Sequence, residues 1–105
     1  MIKVSILYPN KPGSHFDADY YLSTHMPLAC RLLASGIKGV SVDIGISGAA
    51  PDVPAPFAAI AEFTCESVQA FTEAFSPCAA ELVADIPNYT NIEPVIQMSE
   101  IRLSQ

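Results

Sequence analysis

The sequence predicts an α+β fold, a ferredoxin-like βαββαβ sandwich in which a four-stranded sheet carries two helices on one face. Three observations predict it. Apolar and polar residues alternate with a period of two near residues 2–8, 37–47, 57–65 and 94–103. Helical spacing opened by a capping residue occupies residues 17–35 and 67–86. Clusters of proline, glycine and small polar residues separate these stretches. The order is strand, helix, strand, strand, helix, strand, and right-handed crossovers place both helices on the same side of the sheet. Residues 1–105 read as one domain with a single modest core.

The first strand alternates Ile2, Val4, Ile6 and Tyr8 against Lys3, Ser5 and Leu7, and the turn-rich Pro9–Ser14 ends it. Asp17 is a good N-cap for the first helix, and Asp19 adds negative charge where the helix dipole favours it. Phe16 before the cap and Tyr21 inside it fit a hydrophobic staple. The helix is expected to reach about Ser35, with Gly36 as its C′ residue. Residues 37–47 form a second strand with Val40, Val42, Ile44 and Ile46 on one face. The segment Gly48–Pro56 contains three prolines and is a loop with little to pack on in its own domain. Phe57–Cys65 is the third strand, with Phe57, Ala59, Ala61 and Phe63 on one face. Ser67 caps the second helix, which carries Val68, Phe71 and Phe75 and restarts at Ser76-Pro77 through Leu82, Val83 and Ile86. Residues 94–103 are the last strand, near an edge because Pro94 lacks a ladder donor.

Composition narrows the function. Half the chain is hydrophobic and only 15% charged, and the net charge is −6 with no basic cluster, which argues against nucleic acid and anionic membranes. Cys30, Cys65 and Cys78 are odd in number and share no metal or redox spacing, so free thiols in the cytoplasm are expected. No basic leader precedes a long apolar run, so neither a signal peptide nor a membrane span is expected. The sheet face away from the helices carries Leu7, Ile60 and Val95 or Ile101 among polar groups. A second sheet from an identical subunit would cover it, so a homodimer is expected.

The chemistry points to Phe16–Leu28. His25 follows Tyr21 by one helical turn, so both lie on one face, which Leu28 and Leu32 continue. Pro27 cannot donate to the Ser23 carbonyl and crowds it, so the helix should bend beside the imidazole. A bend opens space, and His25 is expected to line a cavity between helix and sheet with Tyr8 and Tyr21 nearby. An imidazole in water titrates near pH ~6.5 and suits acid–base work. The competing reading is a core histidine bonded to a backbone carbonyl or to Tyr21. Tyr21 either orients His25 or a ligand, or is only the staple residue. Tyr8 and Tyr89 either line a pocket mouth or pack with wet hydroxyls. Asp43, the one carboxylate in mid-strand, is expected to face a partner sheet or solvent. Cys65 and Cys78 read as small buried hydrophobes. No Ser-His-Asp set, phosphate loop or dinucleotide fingerprint occurs, and His15 in a loop does not make a metal site with His25.

Three stretches carry a family resemblance: Lys3–Pro9, then Phe16-Asp17-x-Asp19-Tyr20-Tyr21 with His25-Met26-Pro27-Leu28, and Asp85–Thr90 with Pro94–Glu100. Over nearly its whole length the chain resembles the EthD family of the dimeric α+β-barrel superfamily. The resemblance implies a homodimer whose two sheets face each other as a barrel. Bacterial members are named for an association with ethyl tert-butyl ether degradation, and related barrels include cofactor-free monooxygenases, isomerases, and dehydratases or decarboxylases of aromatic compounds. By that analogy the ligand is a small apolar or aromatic molecule.

Two function classes follow. One is an enzyme without metal or organic cofactor, of isomerase, dehydratase or monooxygenase type, with His25 and Tyr21 as catalytic candidates. Tyr8, Leu28, Phe63 and Tyr89 are the ligand-binding candidates. The other is a non-catalytic small-molecule-binding accessory protein of an oxidative degradation pathway. A second polar group converging on His25 favours chemistry, and a bond from His25 to backbone favours binding alone.

Overall fold

The computed structural model describes residues 1–105. Strand β1 is Ile2–Pro9, β2 Gly39–Ile44, β3 Phe57–Cys65 and β4 Val95–Glu100. They form one sheet in the order β2-β3-β1-β4, and every neighbouring pair is antiparallel. Helix α1 runs through Ala18–Tyr20, a wider π turn at Tyr21–His25, and Met26–Leu32. Helix α2, Val68–Phe75, passes through a 3₁₀ turn at Ser76–Cys78 into α3, Ala79–Asp85, and a further 3₁₀ turn, Ile86–Asn88. This is the α+β sandwich expected from the alternation pattern. No helix is long and apolar enough to cross a membrane.

The helix starts follow from their caps. The Asp17 carboxylate accepts from the Tyr20 N–H at 3.1 Å, and the Ser67 hydroxyl accepts from the Ala70 N–H at 3.0 Å. Phe16 and Tyr21 meet with ring centroids 4.9 Å apart, which is the staple. The core lies between the helices and the central strands, where Val4, Ala59, Ala61, Phe63 and Cys65 are at most 2% exposed. Cys78 is also buried, and all three cysteines are free.

The end of α1 differs from expectation. It stops at Leu32 rather than Ser35, and Gly36 has no positive φ, so it is not a left-handed cap. Its reason is space: a Cβ there would stand 2.5 Å from the Ala74 Cβ and 2.8 Å from the Ala70 carbonyl oxygen. Strand β2 is also shorter than residues 37–47. It lies at the sheet edge, where Val40 and Ile44 stay 46% and 40% exposed and Ile46, beyond its end, is 95% exposed. Of the apolar face expected there, Val42 packs against the core. The Gly48–Pro56 loop closes partly on itself, with the Gly48 N–H donating to the Val53 carbonyl at 2.7 Å.

The face turned away from the helices is divided by register. One row pairs Asp43 with Ile60, Ile60 with Leu7 and Leu7 with Val95. The adjacent row pairs Ser41 with Glu62, Glu62 with Ser5 and Ser5 with Gln97. The apolar part of this face is therefore one band, and Asp43 sits exposed at its edge, on the opposite side of the strand from Val42.

Candidate functional site

The site begins with the π turn. The Met26 N–H donates to the Tyr21 carbonyl, five residues back, so the turn holds one residue more than an α-turn. Pro27 explains it, because widening the turn relieves the crowding that its ring imposes on the Ser23 carbonyl. The helix absorbs the proline by widening rather than only by bending. The extra residue shifts the inward stripe by one position. Tyr21 and His25 are followed by Ala29 and Leu33, 3% and 1% exposed, while Leu28 and Leu32 are only partly buried. Leu28 is therefore not part of the cavity lining, contrary to the α-helical spacing that placed it there.

A second tie brings the late loop onto the start of α1. The Asp17 N–H donates to the Tyr89 carbonyl at 2.8 Å, and the His15 N–H donates to Asn91 Oδ1 at 2.9 Å. The Thr90 hydroxyl donates to the His15 carbonyl at 2.6 Å. These bonds hold Tyr89 against α1, with its ring centroid 4.9 Å from Tyr21 and 4.7 Å from His25. Tyr21 stacks on the His25 ring at 5.5 Å, and Tyr8 meets Tyr21 edge-on at 5.6 Å.

His25 is 7% exposed and bonds neither backbone nor Tyr21. Its Nδ1 lies 2.9 Å from Oδ2 of Asp85, the last residue of α3. The other carboxylate oxygen, Oδ1, accepts from the Tyr20 hydroxyl at 2.7 Å and from the Asn88 side-chain amide at 2.9 Å. Burial alone would raise the Asp85 carboxyl, but the bonds from Tyr20, Asn88 and His25 outweigh it and hold the group below the usual carboxylate range. An ionised Asp85 accepts from Nδ1–H, so in the neutral imidazole the lone pair is on Nε2. Nε2 has no protein partner, and every fully enclosed side-chain nitrogen or oxygen has one, so Nε2 reaches accessible space. The Tyr20 hydroxyl is held protonated above its ordinary value, first by its bond to Asp85 and then by burial.

His25 also lies in the wall of a cavity of about 80 Å³ between the helices and the sheet, on a measure by which one water needs roughly 10–15 Å³. His25, Tyr21, Tyr8, Tyr89 and Phe63 all line it, together with Ile6, Met26, Leu33 and Phe71. Val83 and Ile96 line it too, yet are 56% and 55% exposed, so the mouth opens between α3 and β4. Besides His25, the polar tips at its wall are the three phenols. The Tyr8 and Tyr89 hydroxyls bond each other at 2.8 Å. Burial pushes all three phenols above their ordinary value, Tyr21 and Tyr89 the furthest, so each keeps its proton at neutral pH.

Asp85, Tyr20 and Asn88 were not assigned a role from the sequence. One signal was present: a carboxylate in the last turn of a helix opposes the dipole and needs a compensating partner. The depressed carboxyl also has a consequence for stability. A group whose folded value is lowered stabilises the fold above its ordinary value of 3.8, and that contribution disappears as pH falls through the folded value. At neutral pH, Asp85→Asn should unfold at lower urea, with a loss of about 1.5–3 kcal/mol for a charged hydrogen-bond acceptor. The difference between the two proteins should shrink once the pH drops below about 4. A gap that stays constant down to acid pH would show that Asp85 is not held ionised by these bonds.

Comparison with known proteins agrees with this architecture. Residues 15–93 match the family model of the EthD domain. An EthD-like protein from Ralstonia eutropha JMP134 is 38% identical and superposes with a TM-score of 0.94, over 99% of this chain and 94% of that one. An ethyl tert-butyl ether d (EthD) family protein from Bacillus halodurans C-125 is 15% identical, with a TM-score of 0.68 over 96% of this chain and 98% of that one. A protein from Arabidopsis thaliana is 15% identical, with a TM-score of 0.69 over 100% of this chain and 99% of that one. The last two likenesses concern the fold alone. No curated protein matches the chain. The matched domain and the 38% identical structure together establish that the chain belongs to the EthD family.

Proposed function

We propose that the protein binds a small apolar or aromatic compound in the cavity between α1 and the sheet, and that His25 transfers a proton to or from it. The reaction is of the cofactor-independent kind, an isomerisation, dehydration or oxygenation that proton transfer can start. One observation carries this reading: the Asp85–His25 pair in the wall of a mostly apolar cavity, with Nε2 left without a protein partner. A histidine serving only the core would spend its bonds on nearby backbone. Here the partner is a carboxylate on the other helix, itself held by two further donors. Such a pair fixes the tautomer and stabilises the imidazolium that forms when Nε2 takes a proton. The mostly apolar lining favours the second reading, a non-catalytic holder of an apolar molecule for an oxidative degradation pathway. Three thiols without a pairing pattern favour the cytoplasm as the compartment.

The two readings separate by substitution. His25→Asn keeps a polar group of similar size, and it should unfold within a few degrees of wild type. On a panel of small aromatic ketones and phenols it should lose about 10²–10⁴-fold in turnover. His25→Ala should lose stability as well. If both variants lose stability only, with binding and turnover intact, the histidine belongs to the core and the proposal fails. Binding of an apolar compound with no turnover in any variant would favour the holder.

The proposed assembly is a homodimer through the open sheet face. The band Ile60–Leu7–Val95 supports it, since Val95 is 53% exposed on the monomer. A flanking polar row with Glu62, Ser5 and Gln97 would fix the orientation of the second copy. Sedimentation at micromolar concentration should give twice the 11.2 kDa chain mass. A stable species at the chain mass would contradict it.

A further inference from the structure

We propose that the Tyr8–Tyr89 hydroxyl pair is the oxygen-binding element of the cavity, and that the ligand is a small apolar or aromatic ketone. Its carbonyl oxygen accepts a hydrogen bond from the pair while a neighbouring C–H faces His25 Nε2. The inference rests on the reading of His25 as the proton-transferring group, and it adds the substrate class.

Each phenol has one O–H and can also accept. Between the Tyr8 and Tyr89 hydroxyls, 2.8 Å apart, one proton is used. The Tyr8 hydroxyl also shares a side-chain hydrogen bond with Tyr21, so three phenols divide three protons between two bonds, and Tyr8 and Tyr89 are only 2% and 1% exposed. One O–H is therefore left over beside a cavity that both rings line. The oxygen that carries it accepts from its partner, which polarises it and makes it a better donor. The two hydroxyls come from opposite sides of the site: Tyr8 from β1, and Tyr89 from the loop tied to Asp17. Their geometry is held by the fold rather than by a ligand.

The complement of this wall is an acceptor-only oxygen on an apolar frame. No lysine or arginine lines the cavity, so nothing there would neutralise a carboxylate or a phosphate. A carbonyl needs one donor and no counter-charge. With the Tyr89 ring 4.7 Å from the imidazole, donor and base belong to the same cluster. The step balances without a co-reactant. Nε2 takes a proton from the carbon beside the carbonyl, and the C–H pair becomes a C=C bond. The carbonyl π pair moves onto oxygen, where the phenol O–H stabilises it. Return of the proton from the imidazolium to the same carbon regenerates the ketone, and return to a conjugated carbon gives an isomer.

The test uses two probes of one shape, acetophenone and α-methylstyrene, in which a C=CH₂ replaces the C=O. NMR titration of the wild type should move resonances of cavity residues with both. Tyr8→Phe/Tyr89→Phe removes both partners of the 2.8 Å bond, so it should fold. In it, acetophenone affinity should fall about tenfold relative to that of α-methylstyrene, as expected for one lost hydrogen bond. Each single Tyr→Phe variant should lose part of that selectivity, which keeps the test decisive if the double variant does not fold. In D₂O the wild type should exchange the acetophenone methyl hydrogens for deuterium. His25→Asn should stop the exchange and keep the selectivity. Unchanged selectivity in the tyrosine variants would overturn the inference alone. Selectivity that follows the tyrosines, with exchange absent or indifferent to His25, would support the oxygen site and overturn the proton-transfer reading. If neither probe moves the cavity resonances, both are overturned.

Discussion

Burying an imidazole without a partner costs about 1–3 kcal/mol, and this chain meets the demand with a carboxylate sixty residues away. That one contact, His25 Nδ1 to Asp85 Oδ2, couples the two helices. Of the four close contacts between a basic and an acidic side chain, it is the only one in which both are largely buried, 9% and 13% exposed. Removing Asp85 leaves the imidazole desolvated and without a partner, whereas removing His25 leaves the carboxylate its bonds from Tyr20 and Asn88. Tyr20 and Asn88 complete the carboxylate's shell, so the rotamer of Asp85 is fixed from three directions. The orientation of His25 depends on all of them.

The aromatic cluster around this pair is the second constraint. Tyr8, Phe16, Tyr21 and Tyr89 meet largely edge-to-face or tilted, arrangements in which each ring offers its positive edge to a neighbour's negative face. Rings with two torsions each lose little entropy on ordering, so they make stiff walls. The stiffness is inherited from the hydrogen bonds between residues 15–17 and 89–91, which fix where Tyr89 stands. A cavity persists beside them because the π turn puts Ala29, a small side chain, on the stripe that α-helical spacing would have given to Leu28.

How much of this was legible in the sequence depended on the range of the interaction. Local chemistry was: Asp17 and Ser67 as caps, Phe16 with Tyr21 as staple, Ser76-Pro77 as a restart, and Phe57–Cys65 as a strand with matching ends. Pro27 announced a disturbance but not its form, since a bend and a widened turn relieve the same clash. That ambiguity moved one face by one residue and put Leu28 in the cavity on paper. Gly36 was read from its place after a helix, whereas its cause is the close approach of Ala70 and Ala74, which no local pattern encodes. The local pattern gives Asp85 no role. Its role is set by the packing of α3 against α1, and the one local sign was a carboxylate at the unfavourable end of a helix.

The central claim is that Asp85 holds His25 as the Nδ1–H tautomer, with Nε2 unprotonated and without a protein partner. Long-range ¹H–¹⁵N correlation of the ring at about pH 8, above the usual histidine range, reads this directly. The account predicts a protonated-type Nδ1 and an unprotonated-type Nε2 in the wild type, and a mixture of tautomers in Asp85→Asn. A wild-type spectrum with the proton on Nε2, or one that Asp85→Asn leaves unchanged, would contradict it.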